Sequence, residues 1–381
     1  MTEPFVPELR SRRPWVIEEM IASQPSMIEA MGAEAVREAV ASVARLVVAA
    51  AQAGQPIVVS GCGTSEHGAM AVAVQLRLAL QQAGSPAHTV RIRQAFEAWL
   101  EPQTGGVHIG VSHEGETAAT NAAMEHAAAT GARVAAITAK RESRAAGLAD
   151  VTIVTPQHDR SWCHTIGYLS PILAGALLAH EIVGAQPPIL GLAETARQAL
   201  ELRDEAAELG GRLARAADML VVGSGVDAIA ARELALKVRE GARLRATGYP
   251  LETILHGHLA AAEATDALVV ILTEPAPRPA RLTRTKQVLM AAREIGMATA
   301  VVAEARLAAE LENDGLASAG SLPLPPGQQG AAAALVASAV GLQLLTVGLA
   351  AARGTNPDRI RREEEPYARA AAAAESAGLT G

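Results

Sequence analysis

The 381-residue chain is long enough for two ordinary domains, and half of its residues are apolar, so each can bury a core of its own. Aromatics are only 2% of the chain while Ala, Val and Leu abound, which favours helices packed on parallel strands over an all-β sandwich. A net charge of -7, with its basic residues scattered, argues against the stripe of a nucleic-acid binder, and two cysteines, Cys62 and Cys163, are too few and too far apart for a disulfide framework or a zinc site.

Residues 1–14 lack an apolar run ahead of a small-residue cleavage site, so no export signal is expected and the cytoplasm is the expected compartment. Residues 15–53 read as helical, with breaks at Pro25 and Gly54. Strands and helices then alternate. Strands are predicted at 56–60, 89–93, 107–111, 133–138 and 151–154, with a helix over 66–83 and another over 118–130. Such alternation predicts a doubly wound parallel sheet, whose ligands lie outside the C-terminal strand ends. Residues 185–192, followed by a charged helix near 194–216, form the expected connection. After it the plan restarts: the strand and glycine turn of 218–225 repeat those of 57–63, a long helix is predicted over 228–245, and strands over 267–272 and 298–302. The fold class is therefore α/β, with two tandem αβα domains. The expected division is a helical segment over 1–40, a first domain over 41–190, a second over 191–352 and a tail over 353–381. The uncharged stretch 327–352 contains Gln328, Gln329, Ser338, Gln343 and Thr346, which suits a buried helix better than lipid, so no membrane association is expected.

Four groups of residues carry candidate chemistry. Gly61-Cys62-Gly63-Thr64-Ser65 is a glycine turn between strand and helix, a feature common for packing alone. Ser112-His113-Glu114-Gly115-Glu116-Thr117 is a polar turn at a helix start, where backbone N–H groups and hydroxyls suit an anion or a polyol, although Ser and Thr are also favoured there simply as caps. Lys237 and Glu240, three apart on the predicted helix, are neighbours on one face, as in any surface ion pair. His256 and His258 lie near Glu252, at a spacing that does not make a metal site; no metal and no cofactor are expected.

These residues together resemble the tandem sugar isomerase (SIS) domain family, and the chain is similar to the isomerase half of glucosamine-6-phosphate synthase and to related amino-sugar-phosphate deaminases and fructosamine-phosphate deglycases. The first loop of the family is matched by residues 61–65, its Ser-Gln-Ser-Gly-Glu-Thr loop by 112–117, its Ala-Leu-Lys-Leu-Lys-Glu segment by 235–240, its His-Gly-Pro turn by His256-Gly257, and its closing helix by 342–345 with Gly354-Thr355. The resemblance implies that Cys62, Gly63, Thr64, Ser65, Ser112, His113, Glu114 and Thr117 line the substrate site, with Thr64, Ser65, Ser112, His113 and Thr117 on the far end of the sugar, normally its phosphate. It implies that Glu240 moves a proton between C1 and C2, that Lys237 is its neighbour, and that His256 opens the ring, reaching in from a second subunit of a homodimer with a shared active site.

The implied activity is a sugar or sugar-phosphate isomerase or deaminase, working through an enediol or enamine, with a small sugar as its partner. A deglycase releasing an amine at C1 belongs to the same chemistry, and a non-catalytic sugar-binding regulator is the alternative. The chain departs from the pattern in three ways. A glutaminase half is not expected on it. Glu365 aligns with the synthase's C-terminal lysine, and with only Lys140, Lys237 and Lys286 in the chain a Schiff-base route through the tail is not expected; Arg361 and Arg362 are the nearby cations. Glu114 replaces a phosphate-binding serine, where an unpaired carboxylate ~5 Å from a unit negative charge repels it by roughly 3 kcal/mol, and a phosphate dianion by about twice that.

Overall fold

In the computed structural model, which describes residues 6–274, 278–325 and 330–376, the apolar runs become the inner strands of two parallel sheets. The first contains β1 (Ile57–Gly61), β2 (Val90–Gln94), β3 (Val107–Val111), β4 (Arg133–Thr138) and β5 (Val151–Val154), in the order β2-β1-β3-β4-β5. The second contains β6 (Asp218–Gly223), β7 (Arg245–Pro250), β8 (Ala267–Leu272), β9 (Ala298–Glu304) and β10 (Gly320–Leu324), in the order β10-β9-β8-β6-β7. Reversed, the second order is that of the first. The register repeats too: Ile57 pairs with Val90 and Val107, and Met219 with Ala246 and Ala267. Every residue of β1, β3 and β8 is buried, as parallel strands covered on both faces require. The expected α/β class, two αβα units each built on a doubly wound parallel sheet, is the observed one.

The chain divides into two compact units. One holds residues 24–158 and 166–193 with the first sheet; the other holds 6–23, 159–165 and the chain from 194 onward with the second. The expected helical segment over 1–40 is thus split, and residues 353–358 are no separate tail. The reason is Asp358, fully buried in the second-sheet unit, whose carboxylate accepts from the Val16 and Ile17 N–H groups at 2.9 and 2.8 Å, while its carbonyl accepts from Trp162 N–H at 2.8 Å. One residue so gathers three sequence-distant segments.

Other boundaries also differ. The break expected at Pro25 falls two residues earlier, at Ser23, and Pro25 lies in the first turn of Gln24–Ala30, where its missing N–H costs nothing. Residues 185–192 are not all connection, since a helix begins at Ile189. The helix expected over 228–245 spans Val226–Lys237, continues as a π turn over Val238–Ala242, and gives way to β7. Arg243 at φ 54° turns the chain, and Gly241 packs where an added Cβ would stand 3.0 Å from Thr346 Cγ2.

Among the described residues two helices, Ile166–Val183 and Ala331–Ala352, are long and apolar enough to cross a membrane, and 72% and 94% of their most apolar 18-residue stretches is buried within the protein. The first packs on Thr64–Gln82, with Gly68 against the Pro171 ring. The second packs on Arg203–Leu213 as the expected buried helix; Gln328 and Gln329, read with it, lie outside the described residues.

At that helix pair the backbones meet. A Cβ on Gly210 would stand 2.6 Å from the Gly348 backbone, while one on its exposed neighbour Gly211 would meet nothing within 4 Å. Two adjacent substitutions therefore have opposite signs. Gly210→Ala is expected to destabilise by about 1–3 kcal/mol through overpacking, and Gly211→Ala to stabilise by about 0.5–1 kcal/mol through helix propensity. Urea midpoints of the two variants check both.

Candidate functional site

In the first-sheet unit the turn after β3 is organised by one hydroxyl. Ser112 Oγ accepts from Gly115 N–H at 3.1 Å and donates to Thr117 Oγ1 at 3.2 Å, while Asn121 Nδ2 donates to Gly115 O at 3.1 Å. Gly115 takes φ 72°, where a Cβ would collide with Ser143 Oγ, so only glycine closes the turn. Ser112 and His113 are buried and Thr117 is exposed at the start of the Ala118–Ala129 helix. The turn after β1 leads through Gly63, at φ 57°, into the Thr64–Gln82 helix. Here Thr64 is buried, Ser65 half-buried, and Cys62 Sγ lies 3.9 Å from Thr120 Oγ1 and 3.7 Å from Gln94 Nε2. Burial raises the Cys62 thiol above its ordinary pKa, which marks a packed thiol rather than a thiolate nucleophile.

Glu114 does not stand as the lone carboxylate expected from sequence. Its two oxygens bond to Lys140 Nζ and to His158 Nε2, and the His158 ring stacks on His113 with centroids 5.2 Å apart. Burial pushes the Glu114 pKa up, but hydrogen bonds from His158 and Lys140 outweigh it and hold the carboxyl at about 2. It is ionised and compensated, so the repulsion computed for an unpaired charge does not apply.

In the second-sheet unit Lys237 is 1% exposed, between Glu240 Oε2 at 2.6 Å and Glu233 Oε1 at 3.6 Å. Burial disfavours its charge, yet the two carboxylates hold its pKa above the ordinary value. The π turn puts Glu240 at the edge of this cluster, 21% exposed beside a fully buried Glu233. Cys163, whose thiol burial keeps protonated, lines the same region beside Gly241. Thr355 Oγ1 donates to Gly241 O at 2.7 Å and Arg353 Nε to Ala242 O at 2.8 Å, so the turn after the closing helix clamps the π turn. His256 is 69% exposed and bonds Glu252 at 3.0 Å, a carboxylate also held by Arg284 at 2.7 Å. His258 instead packs on the Tyr249 ring. The contacts of His256 are therefore with Glu252 rather than with the Lys237 cluster. Arg361 lies over the Tyr367 ring and Arg362 over that of Trp162.

The structure so brings together the Ser112–Thr117 turn, and separately Lys237 with Glu240. Sequence reasoning missed Glu233, Lys140 and His158. Glu233 was within reach, being one helical turn before Lys237 on the same face. Lys140 and His158 follow the ends of β4 and β5, the edge on which a doubly wound sheet collects its ligands.

Residues 51–180 match the SIS domain family model. Among curated relatives, a glutamine–fructose-6-phosphate aminotransferase of Corynebacterium glutamicum is 27% identical over 80% of this chain and 50% of its own length. Another, from Gloeobacter violaceus, is 30% identical over 56% of this chain and 37% of its own. The chain spans half or less of the length of these relatives. Among solved structures, the C-terminal domain of the Francisella tularensis glucosamine–fructose-6-phosphate aminotransferase superposes with a TM-score of 0.73 at 19% identity, covering 92% of this chain and all of that one. Tagatose-6-phosphate ketose/aldose isomerase of Escherichia coli gives 0.72 at 18%, covering 94% and 98%, and glucosamine-6-phosphate deaminase of Thermotoga maritima 0.67 at 18%, covering 90% and 96%. At these identities the solved structures speak to the fold.

Two measurements probe the charges. The folded-state pKa of Glu114 is depressed, so its contribution is full above its ordinary value near 4.5 and lost as pH falls through about 2. Glu114→Gln is expected to remove that part of the acid limb, read as the difference between the two proteins' urea midpoints from pH 6 to pH 2. In the other unit, Lys237→Met takes the cation from a fully buried carboxylate and is expected to cost about 3–5 kcal/mol. Adding Glu233→Gln should recover part of that cost, a non-additivity that a double-mutant cycle measures.

Proposed function

For a chain whose residues 51–180 match the SIS domain family model and whose second sheet repeats the strand order of the first, we propose an enzyme of aldose–ketose chemistry, an isomerase or deaminase acting on a hexose 6-phosphate. The proton transfer is assigned to Glu240. The observation that carries this is its pairing: a carboxylate held at 2.6 Å by a fully buried ammonium, yet itself 21% exposed. The ion pair fixes the carboxylate's position, and the partial exposure leaves it within reach of a substrate. Glu240 takes the proton from the carbon next to the carbonyl, the electron pair moves to the carbonyl oxygen to give an enediol, and the proton returns to the neighbouring carbon. Where the substrate bears an amine at C2, the same transfer gives an imine that water hydrolyses, releasing ammonia.

Thr64, Ser65, Ser112, His113 and Thr117 are assigned the sugar's distal end. Compensation of Glu114 by Lys140 supports a phosphate as the group held there, and the names of several similar proteins, which include fructose 6-phosphate, glucosamine 6-phosphate and tagatose 6-phosphate, are consistent with that class. His256, at 69% exposure, is assigned ring opening for a second copy of the chain, in a homodimer. Imidazole passes a proton readily at neutral pH.

The test is solvent deuterium exchange. Fructose 6-phosphate, glucosamine 6-phosphate and tagatose 6-phosphate are incubated with the protein in D2O, and exchange at C1 or C2 is followed by proton NMR. Glu240→Gln is expected to keep the fold and to slow exchange by about 10²–10⁴-fold, the usual worth of a positioned base. Exchange at the native rate in that variant sinks the assignment.

A further inference from the structure

The C-terminal ends of β3, β4 and β5 deliver a second set of side chains that the proton chemistry does not use. His113 and Glu114 follow β3, Lys140 follows β4, and His158 follows β5. Ligand atoms of His113, Glu114 and His158 all lie within 4.8 Å of one another. Tetrahedral donors about 2.0–2.2 Å from a zinc ion stand about 3.3–3.6 Å apart, so small side-chain rotations bring the three onto one centre. We propose that His113, Glu114 and His158 form a binding site for a divalent transition metal of zinc's class.

Four observations support it. The donor set, two imidazoles and one carboxylate, is the combination that suits zinc, cobalt, nickel or ferrous iron rather than magnesium or calcium, which take oxygen ligands. His113 is buried, at 7% exposure, so at least one ligand is fixed by packing before any ion arrives. The rings of His113 and His158 stack at 5.2 Å with a tilt of 26°, and the Glu114 carboxylate bonds His158. Lys140 takes the other carboxylate oxygen and orients the carboxylate, as groups hydrogen-bonded behind the ligands do at metal sites. In the ion's absence the hydrogen bond between His158 and Glu114 holds the same two ligands together. The ion takes the place of that shared proton, and Lys140, 39% exposed, can turn toward water to relieve its repulsion from the ion. Three protein ligands leave an open position for water or for a substrate oxygen, as at catalytic rather than structural zinc sites.

This site shares His113 with the sugar-binding turn proposed above, and its test needs no turnover. The full chain is stripped with chelator at pH 7.5 and titrated with Zn2+ by calorimetry. In parallel it is loaded with Co2+ for visible spectroscopy, and bound metal is counted by mass spectrometry after dialysis. One equivalent is expected, with cobalt bands of a four- or five-coordinate nitrogen/oxygen site. His158→Ala and Glu114→Gln, both at part-exposed positions that leave the core intact, are each expected to weaken zinc binding by about tenfold or more and to abolish the cobalt bands. Thermal melts verify that both variants fold. Absence of zinc binding by the native chain, or the same affinity and spectrum in the two variants, overturns the site.

Discussion

A fully buried ammonium has to be answered by carboxylates, and in the second-sheet unit that requirement shapes everything around Lys237. Glu233, a turn earlier on the helix, supplies one charge from within the core; the other comes from Glu240, beyond the helix end. An i, i+3 pair on a regular helix meets at the surface, where water weakens it. Here the chain widens into a π turn instead, and the cluster is closed over by Gly241, by the clamp from Arg353 and Thr355, and by Cys163. Burial keeps the pair tight, and the π turn leaves Glu240 facing outward. An inserted π turn is a recurrent device at functional positions, and in this unit it leaves one carboxylate of a buried ion pair partly exposed.

The duplicated fold makes a second comparison possible. Both units have a glycine turn between their first strand and the following helix, with Gly63 at φ 57°, ψ -127° and Gly225 at φ 64°, ψ -127°. The backbone device is the same, but its surroundings are not. Space around Gly63 is open, whereas a Cβ on Gly225 would run into Glu274 and Arg281. Glu274 accepts from Val226 N–H at 2.9 Å, and Arg281 holds that carboxylate at 2.6 Å. The helix start that could receive an anion is already served by an internal one. Beneath it Asp227 accepts from the Thr273 and Glu274 N–H groups, and burial raises its pKa to about 6, as befits a carboxylate inside a core. Two copies of one architecture thus offer one open glycine turn and one sealed from within.

How much of this was legible in the sequence follows burial. Inner strands read directly, because a parallel strand covered on both faces is a continuous apolar run; β1, β3, β4, β6, β8 and β9 were all placed from such runs. The two strands not foreseen, β7 and β10, are both edges of the second sheet. β7 contains Gly248 and Pro250 and is buried at one position of six, so it has no apolar run to read, and helix-forming residues ahead of it drew the predicted helix too far. β2 and β5, edges of the first sheet, were legible because they retain Val and Ile. The N-terminal segment was misassigned for another reason. Asp358 binds Val16 and Ile17 across more than 300 residues, and no local pattern encodes that.

The candidate site obeys the same rule with charges in place of apolar runs. Motif spacing put Ser112 to Thr117 in one turn and Lys237 beside Glu240, since those relations are local. The role of Glu114 was not local: Coulomb's law applied to a single carboxylate makes it hostile to an anion, but its partners come from the ends of two other strands. Paired with Lys140, its charge is balanced. A phosphate approaching the Ser112 turn therefore meets hydroxyls, backbone N–H groups and a compensated cluster, not a bare negative charge. The serine-to-glutamate exchange, read alone as loss of an anion site, becomes in three dimensions the exchange of one neutral hydroxyl for a charge-balanced cluster of side chains.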